Sequence, residues 1–380
     1  MSVSFIEVNE TALLHDLKAV REYIPKEVKA FAVAEADGYS HGAVRTVELA
    51  LSCGYAGAAV ARVQEAEELR DAGVSCPVYL LGVPLPTETE DVLRLDLIFP
   101  VDDTVDLDAL EKEAAAAGKT ARVMLAVDAE ISRVRLRGRD IRGFLQKLKQ
   151  YPHISLKGAV AHRVTSDSAE SSGSLPKRDI FNRKSEELAE ENFFLSAVQG
   201  ETEEGCLYDL PRPGVILYGI HRSKEAKEKL GLIPAIRFIS HVTHVQLLRK
   251  GEFVGYGATY IAEKDMRIAT VAIGYADGYP RSLSNKGCVL IGGKRRPIVG
   301  RICMDQFMVA VDEDTKEGDE AVLIGTQGEE SLPIEEVAET AGTIPEELLC
   351  GLKRISRTYV SKVREMGGNP SAPSMNGRNR

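Results

Sequence analysis

Ala32-Val33-Ala34-Glu35-Ala36-Asp37-Gly38-Tyr39-Ser40-His41-Gly42 joins three signals in one stretch. The apolar run 29–35 reads as a buried strand that ends in a carboxylate. A turn rich in Gly, Asp and Ser follows. Residues 43–53 then show the 3.6-residue apolar spacing of a helix. Strand, turn and helix in that order make a βα unit. A charged group at the C-terminal end of such a strand is where βα barrels place their chemistry.

The same rhythm runs outward from this stretch. Short apolar runs recur at 57–61, 78–82, 97–101, 122–128, 156–162, 193–198 and 214–219, which with 29–35 makes eight. Helical spacing marks 11–23, 43–53, 63–72, 105–117, 141–150 and 184–190. Strands alternating with helices predict a parallel sheet, and eight of them predict closure into a (β/α)8 barrel over residues 1–232. From about 233 to 366 the pattern changes to short strands divided by Gly, Asp and Asn turns, with short helices at 334–340 and 345–355. That reads as a second, mainly β domain. The last stretch, 367–380, has few large apolar residues and is expected to be disordered.

Composition narrows the function. The 380 residues carry a formal charge of −9, which suits small-molecule ligands and not a nucleic-acid surface. No apolar run long enough to span a membrane occurs, and the first residues lack a secretory pattern, so a cytoplasmic location is expected. The six cysteines form no Cys-x-x-Cys pair and do not cluster with histidine, so no metal site is expected and the thiols read as reduced and packed.

The stretch 32–42 resembles the signature of the alanine racemase family, in which a strand ends in lysine and Tyr-Gly-His-Gly follows a few residues later. Tyr256-Gly257-Ala258-Thr259-Tyr260, Gly274-Tyr275-Ala276-Asp277-Gly278 and Gly300-Arg301-Ile302-Cys303-Met304-Asp305-Gln306 are similar to later motifs of that family, in family order. Arg212-Pro213-Gly214 with Tyr218-Gly219 is similar too. The resemblance covers about residues 4–360 and implies a barrel, a C-terminal β domain and a head-to-tail homodimer. It places each active site between one subunit's barrel and the partner's β domain.

It also implies roles. The family lysine holds pyridoxal phosphate (PLP) as a Schiff base and exchanges a proton with the substrate, and a tyrosine from the partner subunit does the same on the other face. Here the lysine position is Glu35, which cannot form an imine, while the tyrosine matches Tyr256. Tyr39 matches a phosphate contact, and Gly214 and Val215 offer backbone N–H groups to an anion. His162 matches the histidine on the pyridine ring and Arg212 the arginine at its nitrogen. Asp167, Tyr275, Arg281 and Arg301 match the access channel, and Met304 matches a residue at the substrate carboxylate.

Further positions depart from the family. Ala126 replaces a carbamylated lysine that orients the arginine matching Arg133, Gly200 replaces the phosphate serine, and a phosphate tyrosine is absent near Lys353. Losing the carbamate would leave Arg133 unpaired inside the barrel, so a Glu35–Arg133 salt bridge is one reading of the change. On these departures the expectation is a PLP-independent enzyme acting on an amino acid or a derivative, with Glu35 and Tyr256 as an acid/base pair. The expected cofactor is none, with non-covalent PLP or a phosphate-like anion left open. The alternative is a non-catalytic homologue that binds a ligand or a partner. A third reading is ordinary alanine racemisation through another lysine, for which Lys353 is the candidate.

Overall fold

The computed structural model describes residues 3–127, 141–162, 195–198, 210–220, 224–352 and 354–361. The chain forms two compact units, 12–234 and 1–11 together with 235–380. The expected helix at 184–190 and the tail 367–380 lie outside the described residues.

In the first unit, seven parallel strands line up in chain order: β2 (Phe31–Val33), β3 (Gly57–Val60), β4 (Val78–Leu80), β5 (Leu97–Val101), β6 (Ala121–Val127), β7 (Ile154–His162) and β8 (Leu195–Val198). Helices Glu10–Tyr23, Ala43–Ser52, Val63–Asp71, Leu107–Ala116 and Ile141–Leu148 follow the predicted spacing. Alternation along each strand divides its side chains. Val78, Leu80, Phe99, Val101, Val123 and Leu125 pack with Val47, Leu69 and Leu110 of the helices in one core. Burial of each such side chain is worth about 1.5–3 kcal/mol. The intervening residues face the other way, into the barrel.

The eighth expected strand, 214–219, is not a strand. Val215–Tyr218 is a 3-10 turn, bracketed by Gly214 and by the left-handed Gly219. The neighbour of β2 is the stretch just before it: Phe31 N–H donates to the Pro211 carbonyl at 3.1 Å, and Val33 N–H to that of Pro213 at 3.0 Å. Proline has no N–H, so this stretch accepts from β2 without building a ladder of its own. Arg212 sits between the two prolines.

The second unit is a closed antiparallel ring. Its strands are β9 (Ile236–Leu248), β12 (Met266–Val271), β15 (Phe307–Val311), β14 (Lys294–Val299), β13 (Cys288–Ile291) and β16 (Glu320–Gln327), and β16 pairs back onto β9. The first strand of the chain, β1 (Phe5–Asn9), pairs antiparallel with β9 and parallel with β18 (Ser356–Val360). Helices Ile334–Ala341 and Pro345–Gly351 follow the ring near their expected positions. Among the described residues no helix is long and apolar enough to cross a membrane.

Candidate active site

Beyond β2 the chain enters an unusual turn. Ala36, Asp37, Gly38, Tyr39 and Ser40 all have left-handed backbone, with φ between 50° and 64°. Each non-glycine residue there costs about 1–2 kcal/mol, so the surroundings must hold the turn in place. Glu65 does much of this. One carboxylate oxygen accepts Ala36 N–H at 2.7 Å, and the other accepts Ala61 N–H at 2.8 Å and Arg62 N–H at 3.1 Å. Asp37 accepts the N–H of Ala43 at 2.9 Å and so caps the next helix. The rings of Tyr39 and His41 pack on Tyr218 at 5.2 and 4.6 Å, and the Tyr218 hydroxyl donates to the Val33 carbonyl at 2.8 Å.

Inside this frame the expected residues converge. The Tyr39 hydroxyl donates to Glu35 Oε1 at 2.8 Å. A Cβ added to Gly214 would stand 3.2 Å from that hydroxyl, so glycine leaves bare backbone beside a phenol. Arg212 is buried, and its guanidinium lies 5.0 Å from the centre of the Tyr79 ring. Burial pulls the Arg212 guanidinium below its usual range, while the Tyr79 hydroxyl and then the charge of Glu35 act the opposite way. Burial pushes the Tyr79 hydroxyl up to about 12 against the opposing pull of Arg212. Glu35, Tyr39, Arg212 and Gly214 therefore share one polar cup, and Val215 opens the turn beside it.

Several expected residues cannot be placed. Arg133, Asp167, Gly200 and Lys353 lie outside the described residues, so the Glu35–Arg133 salt bridge does too. His162 ends β7, but its side chain is likewise outside. Ala126 is buried in β6. Two residues of the cup were not anticipated. Glu65 carries the signal of a helix-start carboxylate at the third position. Tyr79 could have been found as the inward position of an otherwise aliphatic strand.

The β unit presents its own group around residues 300–304. Tyr275 N–H donates to the Cys303 carbonyl at 3.1 Å, and Ala276 N–H to that of Met304 at 3.0 Å. Any Cβ on Gly274 would fall 2.2 Å from the Met304 carbonyl oxygen, so this turn can dock only as glycine. A Cβ on Gly257 would lie 2.9 Å from Arg301 Nη1, which sets Tyr256 beside Arg301 in the chain fold. Ser284 accepts Ile302 N–H at 3.0 Å, and Asn285 accepts Gly300 N–H at 2.6 Å, pinning the segment after Arg281. Burial raises the Cys303 thiol, and the Arg281 charge lowers it in part. Tyr256, Tyr275 and Met304 are exposed, at 71%, 43% and 54%. Large side chains held out on rigid turns make a face ready for another surface.

Comparison with known proteins agrees with this geometry. The family described as "Alanine racemase, N-terminal domain" matches residues 8–222, and "Alanine racemase, C-terminal domain" matches 235–359. The chain is 37% identical to an alanine racemase of Desulforamulus reducens over 370 residues, covering 93% of this chain and 98% of that one. A crystal structure of alanine racemase from Bacillus anthracis with bound L-Ala-P superposes with a TM-score of 0.88 at 32% identity, covering 96% and 97% of the two chains. Another, from Bartonella henselae with covalently bound pyridoxal phosphate, superposes with a TM-score of 0.82 at 26% identity, covering 95% and 100%. These likenesses overturn two expectations built on Glu35 and the departures at Ala126, Gly200 and Lys353. A PLP-independent enzyme, or a non-catalytic regulator, is not what relatives matched over nearly the whole chain indicate. The expectation of no cofactor falls with it, since PLP is bound in a protein of the same fold.

Proposed function

Because the chain belongs to the alanine racemase family, we propose that it interconverts the two enantiomers of alanine with PLP as cofactor. The observation that supports this reading is the polar cup at the end of β2, where Tyr39, Gly214 and Arg212 gather around residue 35.

The cup suits PLP at two ends. The bare Gly214 backbone beside the Tyr39 phenol leaves room for the phosphate. Arg212, a buried cation, stands for the ring nitrogen. The third end differs: the Glu35 carboxylate cannot hold an aldehyde covalently as an amine does. The cofactor is therefore held by the cup alone. When bound, it supplies the electron sink that spreads negative charge from the alanine α-carbon.

This chain's residues supply the rest. Glu35 takes or returns the α-proton on one face, with the Tyr39 O–H steadying its carboxylate. The partner subunit's Tyr256 does so on the other face in a homodimer built on the exposed Tyr256, Tyr275 and Met304 face. Arg133, His162, Asp167, Tyr275, Arg281, Arg301 and Met304 are proposed to line the approach and take the substrate carboxylate. A cytoplasmic location belongs to the same proposal. The test is chiral detection of D-alanine from L-alanine with added PLP. Formation that disappears after dialysis and returns with PLP supports the reading; no D-alanine at saturating PLP overturns it.

A further inference from the structure

The proposed cup has an anion end and a cationic end, and neither gives Tyr79 a part. Tyr79 stands in the middle of β4, between Val78 and Leu80. Those two neighbours belong to the core shared with the helices, so alternation turns Tyr79 into the barrel. Register places it level with Ala59 of β3 and, through Ala59, with Val33 of β2. Val33 in turn is bonded to Pro213, one residue from Arg212.

Tyr79 is 2% exposed, and its hydroxyl faces the Arg212 guanidinium without making a well-formed hydrogen bond to it or to any other described residue. Leaving a buried hydroxyl unsatisfied costs about 1–3 kcal/mol, and phenylalanine would fill the same space without that cost. The hydroxyl is also not remote from chemistry. The Arg212 guanidinium is 5.0 Å from the ring centre, and Arg212 feels the charge of Glu35. A buried hydroxyl beside the cation proposed to meet the ligand, and not closed off by a well-formed hydrogen bond among the described residues, is placed to meet that ligand as well.

We infer that Tyr79 is a further ligand-binding residue of this site, its hydroxyl supplying a hydrogen bond to the heteroaromatic end of the cofactor that Arg212 also meets. The ring supports the guanidinium through its face, and the hydroxyl completes the polar surface. This rests on the proposal that the cup takes PLP.

The experiment compares wild type, Tyr79→Phe and Tyr79→Leu by titration with PLP, read by protein fluorescence, with thermal unfolding of the free proteins alongside. Tyr79→Phe should weaken PLP binding about tenfold while the free protein melts at the same or a higher temperature. Tyr79→Leu should weaken it further, because the support under Arg212 is lost as well. If wild type binds PLP and Tyr79→Phe binds it equally well, the hydroxyl is only a packing feature and this inference is wrong. If wild type does not bind PLP, the proposed function fails first and the inference falls with it.

Discussion

The Tyr39 hydroxyl donates a 2.8 Å hydrogen bond to Glu35 Oε1, across a turn in which five successive residues are left-handed. The residue at the position where the family has lysine is thus tied to Tyr39. The turn fixes both, and Glu65 fixes the turn.

Restoring the amine should restore the covalent link. Glu35→Lys is expected to let borohydride fix PLP to residue 35, whereas wild type treated identically should carry none. Peptide mapping decides. PLP found on any lysine of the wild type would show that the cofactor is not held by the cup alone.

Removing the Glu65 carboxylate leaves three backbone N–H groups without their acceptor. Glu65→Ala should cost about 2–3 kcal/mol in urea unfolding. Amide exchange at Ala36 and Ala61 should speed up, and PLP affinity should fall. Glu65→Gln keeps one acceptor oxygen and should lie between the two. Slow exchange at Ala36 in Glu65→Ala would mean that the turn holds itself.

Two glycines with similar backbone should respond very differently to alanine. At Gly219, φ is +78° and a Cβ would stand 2.3 Å from the Ile233 carbonyl oxygen and 2.6 Å from Asp16 Oδ2. At Gly73, φ is +85° and nothing lies within 4 Å. Gly73→Ala should lose only the backbone cost, about 1–2 kcal/mol. Gly219→Ala should lose at least about 4 kcal/mol or fail to fold. Equal losses would show that close packing around Gly219 is not what demands glycine there.

Asp16 should make stability depend on pH. It is buried, one oxygen accepts Ile233 N–H at 2.9 Å and lies 3.1 Å from His15 Nδ1, and the other has no hydrogen-bond partner among the described residues. Burial raises its carboxyl to about 7, against the Ile233 bond and the nearby His15 and Lys227, which lower it. The folded chain therefore holds this proton where the unfolded chain has released it. The stabilisation is complete below about pH 4 and is lost as pH rises to about 7. Asp16→Asn should flatten that slope and be more stable than wild type at pH 8 by on the order of 2 kcal/mol. Urea midpoints from pH 4 to 8 test this; parallel curves for the two proteins would rule it out.

Much of the fold was legible because buried parallel strands leave continuous apolar runs, as at 57–60 and 97–101. The run 214–219 misled for the same reason: Val215, Ile216, Leu217 and Tyr218 are all buried, but in a 3-10 turn. Apolarity reports burial, not backbone shape. Nothing in Ala36, Asp37, Tyr39 and Ser40 announces left-handed backbone, because that conformation is imposed by partners distant in sequence such as Glu65 and Tyr218. That Glu35, Tyr39, Arg212 and Gly214 lie together could be expected from the sequence, but the pairing of Tyr79 with Arg212 could not, since it depends on strand register. Departures at Glu35, Ala126 and Gly200 do not by themselves decide the activity, since relatives matched over nearly the whole chain are alanine racemases.

The most direct measurement of the central claim is exchange of the alanine α-proton in deuterated water, followed by proton NMR with wild type and Glu35→Gln, each with saturating PLP. The account predicts that wild type exchanges the proton of both enantiomers well above the rate of PLP alone, and that Glu35→Gln loses at least about a hundredfold for one enantiomer. Exchange by wild type no faster than PLP alone would contradict it.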